Sequence, residues 1–372
     1  TRGDVLLEEA EVRINHRGVL IEGRCFYMHG TLLSVRGLYD MKVRLTHIDG
    51  KLPNLALMKL SHWHRAQGDE VTLARTPSPS MFEPQYDRVY GSSIFGWSKP
   101  VIQRLRDAYP DAIVGGTGID DWTTTIEEQI GEGEYEHYDY SIYPEYQFSM
   151  GFTQRGCRLN CGFCVVPKKE GRPRSVNTIW DIWRPDKEKK IVLLDNDFFG
   201  QDEWRQRVEE IKEGEFKISI NQGINVRLIN EESATVLASL PYYDENFTTR
   251  RLYTAWDNVG QEDIFFKGAN LLKDAGIPPS HLMVYMLIGY DPAETMDRIM
   301  YRYQKMMDFG CKPYPMVYNN LDPQLKRFQR WVIRHYHEFI PWEEYGRVAQ
   351  GQDKDAMPAI APLFVLPSEP VL

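Results

Sequence analysis

The feature that most constrains this chain is an alternation of segments between residues 148 and 337. Strand-like runs at 148–153, 190–194, 216–221, 250–256, 282–288 and 314–318 each precede a stretch of helical periodicity. Those stretches lie at 177–183, 202–212, 231–240, 262–275, 293–309 and 323–337. Strands joined through helix-length crossovers pair parallel, and a parallel sheet needs helices on its faces. The expectation is an α/β fold with a parallel sheet. Such sheets place their chemistry at the carboxyl ends of the strands. Polar residues collect there: Asp195-Asn196-Asp197, Asn221-Gln222, Asp257-Asn258, Gly289-Tyr290-Asp291 and Asn319-Asn320.

The preceding part repeats the pattern on a smaller scale. Strands are expected at 42–48, 70–74, 87–95 and 111–114. A helix starting near Pro53 carries Leu55, Met58, Leu60 and Trp63 at helical spacing, and a second spans 100–109. The last strand runs into Gly115-Gly116-Thr117-Gly118, which suits a ligand loop and a tight structural turn equally well. Residues 119–145 are acidic and tyrosine-rich and read as a solvated linker. Residues 1–40 show short alternating patches without caps, an extension upstream of the natural start or a small strand-rich appendage. Cys25 within them reads as a packed thiol. The stretch from Gln350 is proline-rich and reads as poorly ordered. The expected organisation is therefore 1–40, 41–145, 146–338 and a tail at 339–372.

At 372 residues and 42% apolar content the chain can build two domains with real cores. A formal charge of −9 argues against general nucleic-acid binding as its main role. The longest apolar run, 282–289, is too short to cross a membrane, and no secretory signal is legible. The expected setting is soluble, reducing and cytoplasmic.

Three of the five cysteines, Cys157, Cys161 and Cys164, fall in M-G-F-T-Q-R-G-C-R-L-N-C-G-F-C-V-V-P-K-K-E-G-R-P-R, spaced C-x3-C-x2-C. Three thiolates on a Gly-punctuated loop can converge on one metal centre. A closed zinc site wants four ligands, usually as two pairs, and no further Cys or His occurs between Val165 and Ser280. Three cysteines cannot all pair as disulfides. An iron–sulfur cube takes four protein ligands as a rule, so three leave one iron open to chelate a small molecule.

This spacing, with aromatic Phe163 before the last cysteine, resembles the signature of the radical S-adenosylmethionine superfamily. The resemblance implies a [4Fe–4S] cluster on the three cysteines and S-adenosylmethionine chelated at the open iron. Reductive cleavage would give a 5′-deoxyadenosyl radical that abstracts hydrogen from an unidentified substrate: a peptide, a nucleic acid or a small molecule. It implies an external electron donor such as flavodoxin or ferredoxin. For the fold it implies an open (β/α)6 partial TIM-like barrel preceded by a small Rossmann-like domain. By the same resemblance, Asp195, with Asn196 and Asp197 behind it, would receive the amino group of S-adenosylmethionine. Gln222 and Arg227 would serve its methionine end. Ile288 and Gly289, in a partial match to the family's G-x-I-x-G-x-x-E element, would pack on adenine. Asp197 and Asp202 suit helix capping equally well. Cys311 opens the sixth strand, at the end opposite the chemistry, and reads as structural.

The first half resembles the cobalamin-binding domain of one subgroup, with Val114-Gly115-Gly116-Thr117-Gly118 in place of its late glycine loop. The D-x-H-x-x-G cobalt-ligating motif is missing, and His47 does not reproduce it. Cobalamin is therefore an alternative rather than the favoured cofactor. F-C-V-V-P-K-K-E-G-R-P-R-S resembles a run in tRNA methylthiotransferases and their relatives, and Lys168, Lys169, Arg172 and Arg174 can contact phosphates. That group carries three more cysteines near its N-terminus and a C-terminal β-barrel, neither legible here. A cobalamin-dependent methyltransferase or RNA methylthiotransferase-like enzyme is one alternative. A non-catalytic metal-binding scaffold is the other.

Overall fold

The computed structural model describes residues 9–11, 24–28, 31–34, 40–120, 125–131, 136–318 and 321–349. Asn319-Asn320, the side chain of Cys25 and the proline-rich stretch from Gln350 lie outside the described residues. The chain divides into two compact units, Thr1–Gly50 with Asn54–Ile142, and Lys51–Pro53 with Tyr143–Leu372.

The first unit opens with β1 (Glu9–Glu11), β2 (Arg24–Met28) and β3 (Thr31–Ser34), an antiparallel sheet in that order. Then come β4 (Lys42–His47), α1 (Leu55–Ala66), β5 (Glu70–Ala74), β6 (Arg88–Ser92), α2 (Lys99–Ala108), β7 (Ile113–Gly115) and α3 (Ile126–Ile130). The strands form one parallel sheet in the order β5-β4-β6-β7. Val43 and Leu45 of β4 and Leu57 and Met58 of α1 are fully buried at its centre. The start of α1 is set by Asn54, whose side chain accepts from the Leu57 amide at 3.2 Å, and Pro53 precedes this cap.

The stretch expected as a solvated linker is buried in part. Tyr138, Tyr140 and Tyr143 are all buried. Thr125 and Glu128 make a capping box for α3. The acids find partners inside the unit: Glu136 takes the buried Lys59 ammonium at 2.8 Å, and Asp139 pairs with Arg65 at 3.0 Å. Acidic composition misleads here because a buried lysine supplies a counter-charge that local sequence does not show.

The second unit runs β8 (Ser149–Gly151), β9 (Gln154–Arg155), α4 (Val166–Lys169), β10 (Arg174–Ser175), α5 (Ile179–Ile182), β11 (Lys190–Leu193), α6 (Trp204–Glu213), β12 (Lys217–Ile220) and α7 (Glu231–Ser239). It continues β13 (Leu252–Ala255), α8 (Glu262–Asp274), β14 (Leu282–Ile288), α9 (Met296–Phe309), β15 (Lys312–Val317), α10 (Pro323–Ile333) and α11 (Trp342–Ala349). Two three-stranded sheets, β12-β11-β8 and β13-β14-β15, are parallel throughout. The α/β class with parallel sheets is therefore the one expected.

Alternation along the strands separates two faces. Ile191, Leu193, Ile218, Ile220, Leu252, Val284 and Met286 join the main core with the helices. On β13, β14 and β15 the other face carries Tyr253, Tyr285 and Tyr314, a separate buried cluster with successive ring centroids 5.8 and 5.9 Å apart. Cys311 is buried in the main core, and burial pushes its thiol up to about 12. The region expected as a tail begins with α11, whose Trp342 packs on Phe328 and Trp331 of α10, both with centroids 5.6 Å away.

Candidate metal centre

The cysteine loop is closed at its base by a ladder that periodicity does not suggest. Gln154 and Arg155 pair antiparallel with Ser175 and Arg174. Within it, Cys157 donates its amide to the Gly171 carbonyl at 3.4 Å, and Cys164 donates to the Cys161 carbonyl at 3.0 Å. Gly156 sits at φ +82°, and a Cβ there would lie 2.3 Å from the Arg172 carbonyl oxygen. Only glycine allows the two sides of the loop to approach this closely.

Glu170 holds the loop from inside. Its carboxylate accepts from the Gly156 amide at 3.0 Å, from Arg155 at 3.2 Å and from Asn196 Nδ2 at 2.9 Å. One acid thus relieves the like charges of Arg155 and Arg174, which face each other across the ladder, and Arg174 also donates to the Glu170 carbonyl at 2.9 Å. Sequence reasoning passes over Glu170 because it stands as one acid among four cations.

Asp195, at the end of β11, is fully buried. Its carboxylate accepts from the Thr153 amide at 2.7 Å, the Gln154 amide at 3.2 Å and the Thr153 hydroxyl. Burial pushes this carboxyl up to about 7, against the pull of those bonds. Its donors come from the segment just before the cysteines. Asp197, 1% exposed, grips Arg158 of the loop through Nε at 2.6 Å and Nη2 at 2.9 Å. Neither Asp197 nor exposed Asp202 caps the following helix: α6 begins after Glu203 with no side-chain cap bond. The triplet Asp195-Asn196-Asp197 is therefore brought to the loop, and all three side chains are engaged in holding it.

The other strand ends approach from the opposite side. Arg227, after β12, donates to Gln261 at 3.0 Å, and its Nη2 lies 3.9 Å from Cys161 Sγ. Asp257, after β13, accepts from the Leu287 amide at 2.9 Å; burial raises its carboxyl, and the Arg302 and Arg227 charges oppose that rise. Gly289, at φ +77°, donates its amide to Glu294 at 3.1 Å. Glu294 also pairs with Arg302, which donates to the carbonyls of Trp256 at 2.7 Å and Leu287 at 2.8 Å. The signal for Arg302 is a charge on the apolar face of α9, beside Ile299, Tyr303 and Met306. Ile288 is fully buried in the core, so only its backbone faces the strand end. Phe163 is 38% exposed and meets Tyr290 edge-on at 5.4 Å. Gln222 is half-buried after β12, and neighbouring Asn221 buries its Oδ1 with no hydrogen-bond partner among the described residues.

The three cysteines are half-buried. Burial raises the thiols of Cys157 and Cys164, and the neighbouring sulfurs add to the effect; Asp197 adds to it at Cys157, and Glu170 and Asp257 at Cys164. Among the described residues, His335, His337 and Glu338 bring three ligand atoms within 4.8 Å of one another.

The glycine loop of the first unit looks different. Gly116 lies at φ +109°, and a Cβ there would be 2.1 Å from the Ser93 carbonyl oxygen. A Cβ on Gly118 would be 2.3 Å from Ser93 Oγ and 2.8 Å from the Phe95 backbone. Asp49 ties the same corner, accepting from Ser93 Oγ at 2.6 Å and the Ile94 amide at 2.7 Å. These glycines make room for the chain itself. No helix among the described residues is long and apolar enough to cross a membrane. Comparison with protein-family models, with curated proteins and with solved structures gives no match in any of the three.

Proposed function

We propose that the chain is a radical S-adenosylmethionine enzyme whose Cys157, Cys161 and Cys164 hold a [4Fe–4S] cluster. The observation that carries this reading is that the C-x3-C-x2-C cysteines stand half-buried on one loop braced by Glu170 and Asp197. Three cysteines are one short of a closed zinc site and suit a cluster with one iron left open. Held there, the cluster and S-adenosylmethionine would supply one-electron cleavage of the sulfonium, the electron coming from an external donor, and hydrogen abstraction from a substrate.

The chain's own residues have definable tasks. Arg227 sets a positive charge beside Cys161 Sγ, at 3.9 Å. Asp195 is better read as a truss than as a ligand, because its acceptor capacity serves Thr153 and Gln154. Asn221, with its buried unpartnered oxygen at the end of β12, is the acceptor left for the ammonium of S-adenosylmethionine. The backbone of Ile288 and Gly289 and the ring of Phe163 remain for the adenosine. The two parallel sheets are read as halves of an open six-stranded barrel. Supporting this, their strands keep chain order, and the Ile224 amide after β12 donates to the Tyr253 carbonyl of β13 at 2.7 Å. Cobalamin is not part of the proposal, since the space beside Gly116 and Gly118 is filled by Ser93 and Phe95. A cytoplasmic setting and a flavodoxin- or ferredoxin-type electron donor belong to the same reading.

Anaerobic reconstitution tests it. The expected product holds about four irons per chain and forms 5′-deoxyadenosine from S-adenosylmethionine with dithionite. Replacing the three loop cysteines by Ala abolishes both, whereas Cys25→Ala and Cys311→Ala preserve both. Stoichiometric zinc with no 5′-deoxyadenosine would instead establish the non-catalytic scaffold.

A further inference from the structure

A second cluster of metal-ligating side chains lies where α10 hands over to α11. The sequence R-H-Y-H-E ends α10 at Ile333, turns through His335 at φ +59°, and continues as a short 3-10 turn, Tyr336–Glu338. The turn is fixed by its backbone: the His335 amide donates to the Val332 carbonyl at 3.0 Å, and the Glu338 amide to the His335 carbonyl at 3.2 Å. This geometry throws His335, His337 and Glu338 to one side.

We propose that His335, His337 and Glu338 form a binding site for a zinc-class divalent cation. Their ligand atoms all lie within 4.8 Å of one another. Glu338 Oε1 is 2.8 Å from His335 Nδ1 and 4.0 Å from His337 Nε2. A cation entering between them takes the place of the hydrogen between His335 Nδ1 and Glu338, with the neutral imidazole carrying its one hydrogen on Nε2. The two outer side chains are 62% and 50% exposed, free to close the remaining distance.

His337 distinguishes this arrangement from an ordinary exposed ion pair. A His335–Glu338 pair needs no third ring, yet His337 has a side chain only 9% exposed and an orientation fixed by its neighbours. Its ring packs edge-on against Trp331 and Tyr303, at 5.8 and 5.9 Å between centroids. Its Nδ1 is buried and makes no hydrogen bond among the described residues. Nε2 is left to face Glu338. The ring is therefore held from behind by packing against Trp331 and Tyr303. Two imidazoles and one carboxylate suit zinc and its neighbours, whereas calcium and magnesium prefer all-oxygen sets. Three protein ligands leave a position for water. Bound metal would pin the α10–α11 corner, where Arg330 also donates to the Tyr345 hydroxyl at 2.9 Å.

The test is Zn2+ titration by calorimetry into the full chain carrying Ala at Cys157, Cys161 and Cys164, so that thiols do not compete. One equivalent should bind. His335→Asn, which tolerates a left-handed backbone, and Glu338→Gln should each weaken binding at least tenfold. Zn2+ should raise the melting temperature of the parent but not of His335→Asn, and Mg2+ should raise neither. Should the cysteine-free chain fail to fold, Co2+ added to the reconstituted chain, whose thiolates are occupied, gives the same answer. It should produce weak ligand-field bands, without intense thiolate charge transfer, that vanish in His335→Asn. Absence of binding, or binding indifferent to both substitutions, overturns the proposal.

Discussion

Two loops in this molecule occupy the same topological position. The glycine loop at Gly115–Gly118 and the cysteine loop from Gly156 to Pro173 each follow the carboxyl end of a parallel strand, in the first and second unit respectively. Such a position is where open α/β sheets hold ligands. The first loop is consumed by its own surroundings: Ser93 and Phe95 take the space its glycines open, the Ser93 carbonyl takes the Gly118 amide, and Asp49 takes the Ile94 and Phe95 amides. The second is braced from one side by Glu170, Asp195 and Asp197 and leaves three sulfurs half-buried on the other. Position in the fold selects where a site can be. Whether it becomes one depends on what the chain does with its own polar groups there.

Substitutions can break this contrast, and the largest effect is expected at Gly116. Alanine there meets the Ser93 carbonyl at 2.1 Å in a backbone conformation that L-residues rarely adopt. Gly116→Ala should cost about 3 kcal/mol or more, read by chemical denaturation as loss of the first unit. If Gly116→Ala unfolds nothing, the loop has room for something other than itself.

The next effect is a pH dependence in the second unit. The Asp195 carboxyl titrates near 7 in the folded chain, above its unfolded value. Its contribution is therefore fully present below about pH 4 and is lost as pH rises through about 7, a change of a few kcal/mol. Asp195→Asn keeps the shape and removes the titration. Stability of the variant between pH 4 and 8 should be flatter than that of the parent; parallel profiles would show Asp195 to be ionised throughout.

Asp197→Asn comes third. The lost ion pair involves a partly exposed Arg158 and is worth about 1–2 kcal/mol after solvent screening. The fold should survive, with iron lost several-fold faster to a chelator after reconstitution. Unchanged iron retention would mean that the loop does not need its Arg158 anchor. Smallest is Gly171→Ala. This glycine lies at φ +76°, and a Cβ added to it would meet nothing within 4 Å. The substitution should lose only about 1 kcal/mol, in contrast to Gly116.

Much of the architecture is readable from sequence. Strands 70–74 and 282–288 are legible to the residue because β-branched and apolar runs stop abruptly at Gly, Pro or polar neighbours. The ladder between β9 and β10 is not, since Gln154-Arg155 and Arg174-Ser175 carry no apolar alternation and pair only because the loop between them folds back. The three cysteines announce themselves by spacing. Asp195 does not announce its role: a carboxylate at a strand end looks the same whether it awaits a ligand or bonds two nearby amides. Only the position of Thr153 and Gln154 separates the cases. The tyrosines of 138–143 are misread because composition reports polarity but not which side of a segment meets a core.

The ladder at the base of the cysteine loop also bears on the order of events during maturation. Bringing the ends of a loop this long together costs on the order of 2–3 kcal/mol of chain entropy. Here the polypeptide itself meets that cost, through β9, β10 and the Glu170 carboxylate. On the reading proposed above, a cluster would fill a mould rather than cast one. The apo chain should already show slow amide exchange at Gln154 and Arg155, and loading should proceed without a folding step in its rate.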